Sequence, residues 1–171
     1  KGLTQLFAPE LDTLSNISIT GHFDSYQDSV YFEIDIPKLR YDNVEITSGY
    51  VKSNFFQQQG EMNFVLQETQ IGENMDLAPV YLQTYLNKDS LQFGLTYAAR
   101  SGQNNVLDQL NLDGTYVLVD SVRSEIQVDN SELTLLQSRW NIDDNNRIQL
   151  GDQRVSISNF ELSDNQGRKI I

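Results

Sequence analysis

Apolar and polar side chains alternate with a period of two through most of this chain. Ile17, Ile19 and Phe23 are followed by Val30, Phe32, Ile34 and Ile36, and then by Val44 and Ile46. Met62, Phe64 and Leu66 repeat the pattern, as do Leu91, Phe93, Leu95 and Tyr97, then Leu110, Leu112, Tyr116 and Leu118, and finally Val155 and Ile157. The positions between them are mostly Glu, Asp, Gln, Asn, Ser and Thr. Successive side chains of a strand point to opposite faces, so this pattern predicts antiparallel strands with one apolar and one wetted face over residues 16–171. Pro37 falls just after one of the runs, where it does a ladder no damage. Only the start differs: Leu3, Leu6, Phe7, Leu11 and Leu14 are three or four apart, which predicts a short helical piece within residues 1–15, broken around Pro9.

Turn-forming residues recur ahead of the apolar runs. Asp28-Ser29, Gly60-Glu61, Asp89-Ser90, Asp120-Ser121 and Gly151-Asp152 start at 28, 60, 89, 120 and 151, which are 29 to 32 residues apart. Each mark reads as the corner of a hairpin, giving a repeating unit of incoming strand, tight corner and outgoing strand. Ser124 departs from the pattern where a large apolar residue is expected, and the parity changes after Ile157 to bring in Phe160 and Leu162, as at a bulge. Ten or so strands about 4.8 Å apart extend a sheet by roughly 45 to 50 Å, too far for a flat sheet to protect one apolar face. The sheet must curl, split into a sandwich or cover a ligand. The expected fold is therefore all-β and antiparallel: a curled, taco-like sheet or a solenoid of stacked hairpins, with a β-sandwich as the alternative.

Composition closes off several functions. The chain has 171 residues, the size of one domain, and 39% of them are apolar, which is too little for a large spherical core. With 24 acidic against 12 basic side chains the net charge is −12, the opposite of what binding to nucleic acid rewards. Cysteine is absent and His22 is the single histidine, which removes disulfides, thiolate metal sites and paired-histidine zinc sites. The longest apolar stretch, Leu77 to Leu82, has six residues and contains Pro79, whereas a spanning helix needs about 20. No transmembrane segment is expected. The chain starts at Lys1 without a signal sequence and stops at Ile171 where a strand begins, so it reads as a piece of a longer protein.

Catalytic chemistry finds little support. His22 lies on a strand with no oriented acid at a recognisable spacing, and reads as an exposed strand residue. Glu33 and Asp35 share one strand face, as an acid and a base would, but alternation places that face in water. Asp143, Asp144, Asn145 and Asn146 supply oxygen ligands without the glycine and distal glutamate of a calcium loop, and read as a plain turn. Asn16-Ile17-Ser18 matches a glycosylation acceptor and is assigned no role. No phosphate-cradling glycine motif occurs, and no cofactor is expected.

Part of the chain is similar to a known family. Lys88-Asp89-Ser90-Leu91-Gln92-Phe93-Gly94-Leu95 is followed by Leu110-Asn111-Leu112-Asp113-Gly114 and then by Trp140-Asn141-Ile142. Beyond these come Arg147-Ile148-Gln149-Leu150-Gly151 and Val155-Ser156-Ile157-Ser158-Asn159-Phe160-Glu161-Leu162. This series resembles the TamB proteins of the AsmA-like superfamily, the translocation and assembly module and bridge-like lipid transport proteins, over about residues 88 to 171. The resemblance implies a periplasmic segment of a protein anchored in the inner membrane of a Gram-negative bacterium. It also implies a role in carrying phospholipid toward the outer membrane and in outer-membrane protein biogenesis, with an outer-membrane barrel assembly protein as a partner of the full-length chain. The family offers no catalytic motif to carry over.

The expected function is thus non-enzymatic: a hydrophobic groove that holds or conducts phospholipid acyl chains. Its expected lining is Phe32, Ile34, Phe64, Leu66, Phe93, Leu95 and Ile157 from outgoing strands, with Leu112 and Tyr116 from an incoming one. Two rivals belong to other classes. A carbohydrate-binding β-sandwich would stack sugars on Tyr26, Tyr31, Tyr41, Tyr50 and Trp140. A structural or partner-binding domain would use its edge strands for β-augmentation and bind neither lipid nor glycan.

Overall fold

The computed structural model describes residues 11–72, 75–77, 79–99, 107–151 and 154–170. Among the described residues sixteen strands occur in chain order. The first eight are β1 (Leu11–Ser15), β2 (Ser18–Asp24), β3 (Ser29–Tyr41), β4 (Val44–Phe56), β5 (Gln59–Ile71), β6 (Met75–Leu77), β7 (Val80–Asn87) and β8 (Ser90–Ala98). The others are β9 (Leu107–Leu118), β10 (Arg123–Val128), β11 (Ser131–Leu135), β12 (Ser138–Ile142), β13 (Arg147–Gly151), β14 (Arg154–Ser158), β15 (Leu162–Asp164) and β16 (Lys169–Ile170). All belong to one antiparallel sheet that does not close on itself. The expected all-β, antiparallel fold is what forms. The alternative of a sandwich is not, because the described strands form one open sheet with no second sheet among them.

The expected N-terminal helix is corrected where it can be seen. Leu11–Ser15 is strand β1, paired with Lys38–Tyr41 of β3, and residues 1–10 lie outside the described residues. The three- and four-residue spacing loses here to the free edge that β3 offers. Thirteen residues long, β3 overruns β2 and leaves backbone donors and acceptors for another strand to satisfy.

Three of the five expected corners are turns: Asp28 precedes β3, Asp89 precedes β8, and Asp120-Ser121 lies between β9 and β10. Gly60 is instead inside β5, with the turn at Gln57–Gln58. Gly151 is the last residue of β13, and residues 152–153 lie outside the described residues. The turns of this rim are bonded to one another. Gln57 N donates to Asp28 O at 2.7 Å, Lys88 N to Gln58 O at 2.7 Å, and Leu118 N to Asp89 O at 3.0 Å.

Half-way along, the strands are interrupted at a common level. Asn16 lies between β1 and β2 with φ 49°, Pro37 stands opposite Ser48, whose φ is 65°, and Pro79 sits between β6 and β7. Proline has no N–H to give a ladder and a left-handed residue turns the chain out of the pleat, so regular pairing stops at these points. Beyond β9 the interruption becomes a division of the sheet. One limb continues from the second half of β9 through β10, β13 and β14, and the other from its first half through β11, β12, β15 and β16.

Side chains complete the pairing of each limb where the sheet divides. Asn146, 1% exposed, accepts the Val128 N–H on Oδ1 at 2.9 Å and donates from Nδ2 to the Val128 carbonyl at 2.7 Å. Ser131, also 1% exposed, accepts the Asp113 N–H on Oγ at 2.9 Å. Each replaces the ladder bonds that the interruption removes. The parity change after Ile157 is part of the same feature: Asn159, at φ 54°, separates β14 from β15, which begins at Leu162.

Candidate functional site

Direct cross-strand partners have side chains on the same face of a sheet, so the register assigns the faces. The longest uninterrupted apolar row is Ile19–Ile34–Val51–Phe64–Leu82–Leu95–Leu112, seven strands wide. At about 4.8 Å per strand it spans roughly 29 Å. A second row on the same face runs Phe23–Val30–Phe55–Gly60–Leu86–Leu91–Tyr116–Ile126–Ile148–Ile157. Between them lie Phe32, Met62 and Phe93, and on the other flank Ile36, Leu66, Val80, Tyr97 and Leu110.

All nine residues expected to line a groove therefore share one face. Phe32, Ile34, Phe64, Leu66, Phe93, Leu95, Leu112 and Tyr116 are half-buried there, and Ile157, on β14 at the margin, is 60% exposed. Val51 and Leu82, which complete the central row, were not in that set because it drew mostly on outgoing strands. Their alternation with Tyr50, Lys52, Tyr81 and Gln83 was the available signal.

No layer covers this face among the described residues. Among the described residues only Tyr97, Val128 and Ile142 are buried apolar side chains. The lining remains partly open because it gains shelter only from its neighbours in the sheet. Ile19 and Phe23, on the margin at β2, are 71% and 68% exposed. Two glycines on the face make room for rings from the next strand. A Cβ at Gly60 would stand 2.2 Å from Phe55 Cδ1, and one at Gly114 2.6 Å from Phe93 Cζ.

The opposite face is polar. Glu33 accepts from the Tyr50 hydroxyl at 3.2 Å and meets Lys52 Nζ at 3.0 Å, and Lys52 lies 5.9 Å from the Tyr31 ring centre. The Tyr31 hydroxyl first, then the Lys52 ammonium and the Tyr50 hydroxyl, hold the Glu33 carboxyl below its ordinary range. A general acid needs the opposite displacement. His22 is exposed on β2. Among the described residues no group of three His, Asp or Glu side chains could hold a metal ion, and no helix is long and apolar enough to cross a membrane.

Of the aromatic residues expected of a sugar platform, Tyr31 and Tyr50 converge on Glu33, while Trp140 and Tyr26 lie elsewhere. Tyr31 and Tyr50 lie on the polar face, Trp140 is in register with Leu133 and Leu110 on the apolar one, and Tyr26 stands 99% exposed in the turn before β3. Trp140 is occupied by Arg168, whose guanidinium lies 5.4 Å from the ring centre. Comparison of the chain with protein-family models, with curated proteins and with solved structures finds no match.

Proposed function

We propose that this chain is a non-enzymatic, lipid-holding segment of a TamB-like envelope protein, its sheet curled into a trough that keeps phospholipid acyl chains out of water. The observation that carries the reading is the seven-strand apolar row from Ile19 to Leu112, on a face that no layer of the described residues covers. Each acyl methylene taken from water onto such a surface contributes about 0.8 kcal/mol, while a charged headgroup stays wet at the rim. No bond is made or broken, so no catalytic group is required. A periplasmic setting, transfer between inner and outer membranes and support of outer-membrane protein biogenesis follow from the sequence resemblance over residues 88 to 171.

The test is mass spectrometry of lipids that co-purify with the chain from a Gram-negative host, with Phe64→Glu and Leu95→Glu as comparison variants. Phospholipid bound to the native chain and lost from both variants is the expected result. A native chain that carries no lipid, or variants that carry as much, overturns the reading.

A further inference from the structure

Basic residues are outnumbered two to one in a chain of net charge −12, yet three of the twelve Lys and Arg residues meet on one face of β10, β13 and β14. Arg123 and Arg154 flank Gly151 in a single cross-strand row, and Arg147 lies on the same face further along β13. A cavity of about 520 Å³ opens here, lined by Val119, Arg123, Ser124, Leu150, Gly151 and Arg154. Glycine keeps its floor open: a Cβ at Gly151 would meet Arg123 Cγ at 3.0 Å and Val122 O at 3.1 Å.

Charges of both signs surround this cavity. Asp120 holds Arg123, accepting from its Nε at 2.6 Å, and Arg147 Nε lies 3.0 Å from Glu125, which also lines the cavity. Arg154, across Gly151 from Arg123, adds a third guanidinium to this face. The next row, Leu118–Ser124–Leu150–Val155, belongs to the apolar side, with Val155 66% and Leu118 46% exposed. Cationic forks beside an exposed apolar margin match a molecule with a phosphate at one end and a hydrocarbon at the other.

We propose that this cavity is an anion site for the phosphate of an amphiphile's headgroup, held between Arg123 and Arg154, with the hydrocarbon passing over the margin onto Leu150 and Val155. The proposal deepens the lipid-holding reading and rests on it. Three probes below their micelle concentrations separate the parts: glycerol 3-phosphate, dihexanoyl phosphatidylglycerol and uncharged dihexanoylglycerol, each titrated into the labelled 171-residue chain by NMR.

Glycerol 3-phosphate should shift the signals of Arg123, Ser124 and Arg154 and lose that effect in Arg154→Gln. The same variant should weaken phosphatidylglycerol about tenfold and leave dihexanoylglycerol unchanged, and added salt should weaken only the charged probes. Val155→Asn should weaken both amphiphiles and spare glycerol 3-phosphate. Equal phosphatidylglycerol affinity in Arg154→Gln and the native chain overturns the site. Glycerol phosphate bound at Arg123 and Arg154 with neither amphiphile bound overturns the headgroup assignment and the lipid reading together, leaving a site for a small phosphate.

Discussion

Asn146 meets Val128 as a neighbouring strand would, receiving its N–H on Oδ1 at 2.9 Å and giving Nδ2 to its carbonyl at 2.7 Å. A third bond, from Nδ2 to the Asp143 carbonyl at 2.5 Å, fixes the amide in the turn before β13. Sequence supplies no stand-in: Asp144 and Asn145, the adjacent polar residues, are exposed.

Replacing this amide should therefore be costly. Asn146→Ala leaves a buried N–H and a buried carbonyl of Val128 without partners, and a loss of about 2–3 kcal/mol in urea unfolding is expected. Asn146→Asp keeps an acceptor for the N–H but sets a carboxylate against two carbonyl oxygens. It should also destabilise, and less so as the pH is lowered toward its protonation.

Gly60 offers a steric test on the apolar face. Gly60→Ala places a methyl 2.2 Å from the Phe55 ring and 2.7 Å from the Asn54 carbonyl oxygen, and the second of these cannot swing aside. A cost of about 1–3 kcal/mol is expected in chemical denaturation. Pairing it with Phe55→Leu, which removes the ring, should recover part of that loss.

The hairpin between β11 and β12 carries correctable strain. Leu136 and Gln137 both adopt positive φ, 47° and 62°, and Leu136 is 70% exposed. A two-residue turn with this backbone favours Asn-Gly. Leu136→Asn with Gln137→Gly should raise stability by about 1–2 kcal/mol, read as a higher urea midpoint. The Gln137 N–H bond to Asp108 Oδ2 at 2.9 Å is a backbone contact and survives the change.

Acid should unfold the chain in a defined direction. Burial of Asp164 opposes its charged form, but the Arg168 guanidinium and the backbone N–H groups of Arg168 and Gln166 outweigh that and hold the carboxyl below its ordinary range. Glu33, Glu45, Asp120 and Asp143 are lowered as well, chiefly by hydrogen bonds from Tyr31, Lys38, Arg123 and the Asn145 backbone. Carboxyls of depressed pKa contribute stability that is complete above their unfolded values, about 3.9 for Asp and 4.3 for Glu, and is lost as pH falls through the folded ones. Urea midpoints should decline below about pH 4. Asp164→Asn should lower the midpoint at neutral pH and make the acid decline shallower.

Strand parity was legible in the sequence, because an alternating run such as Val30, Phe32, Ile34, Ile36 allows one face for its apolar side chains and no other. The same logic placed all nine expected lining residues on one side of the sheet. What escaped was the level at which strands break. Its marks were a proline in β3, a parity step from Ile36 to Leu39, and another from Ile46 to Val51, each faint until the register sets them side by side. The helical reading of Leu11 and Leu14 failed for a related reason, since the partner that extends them lies nearly thirty residues further along the chain. The arginine cavity was invisible because Arg123, Arg147 and Arg154 are separated along the chain and meet only through the pairing of β10, β13 and β14.

The division of the sheet beyond β9 has a mechanical outcome. Strands β10, β13 and β14 form one leaf and β11, β12, β15 and β16 another, both hung from β9, with Asn146 tying β13 to β10 inside the first leaf and Ser131 tying β11 to β9. Either leaf can fray from its free margin inward without unzipping its companion, so amide exchange should yield two opening units there, against a single one for β3 to β5, which run on through the interruption as continuous neighbours.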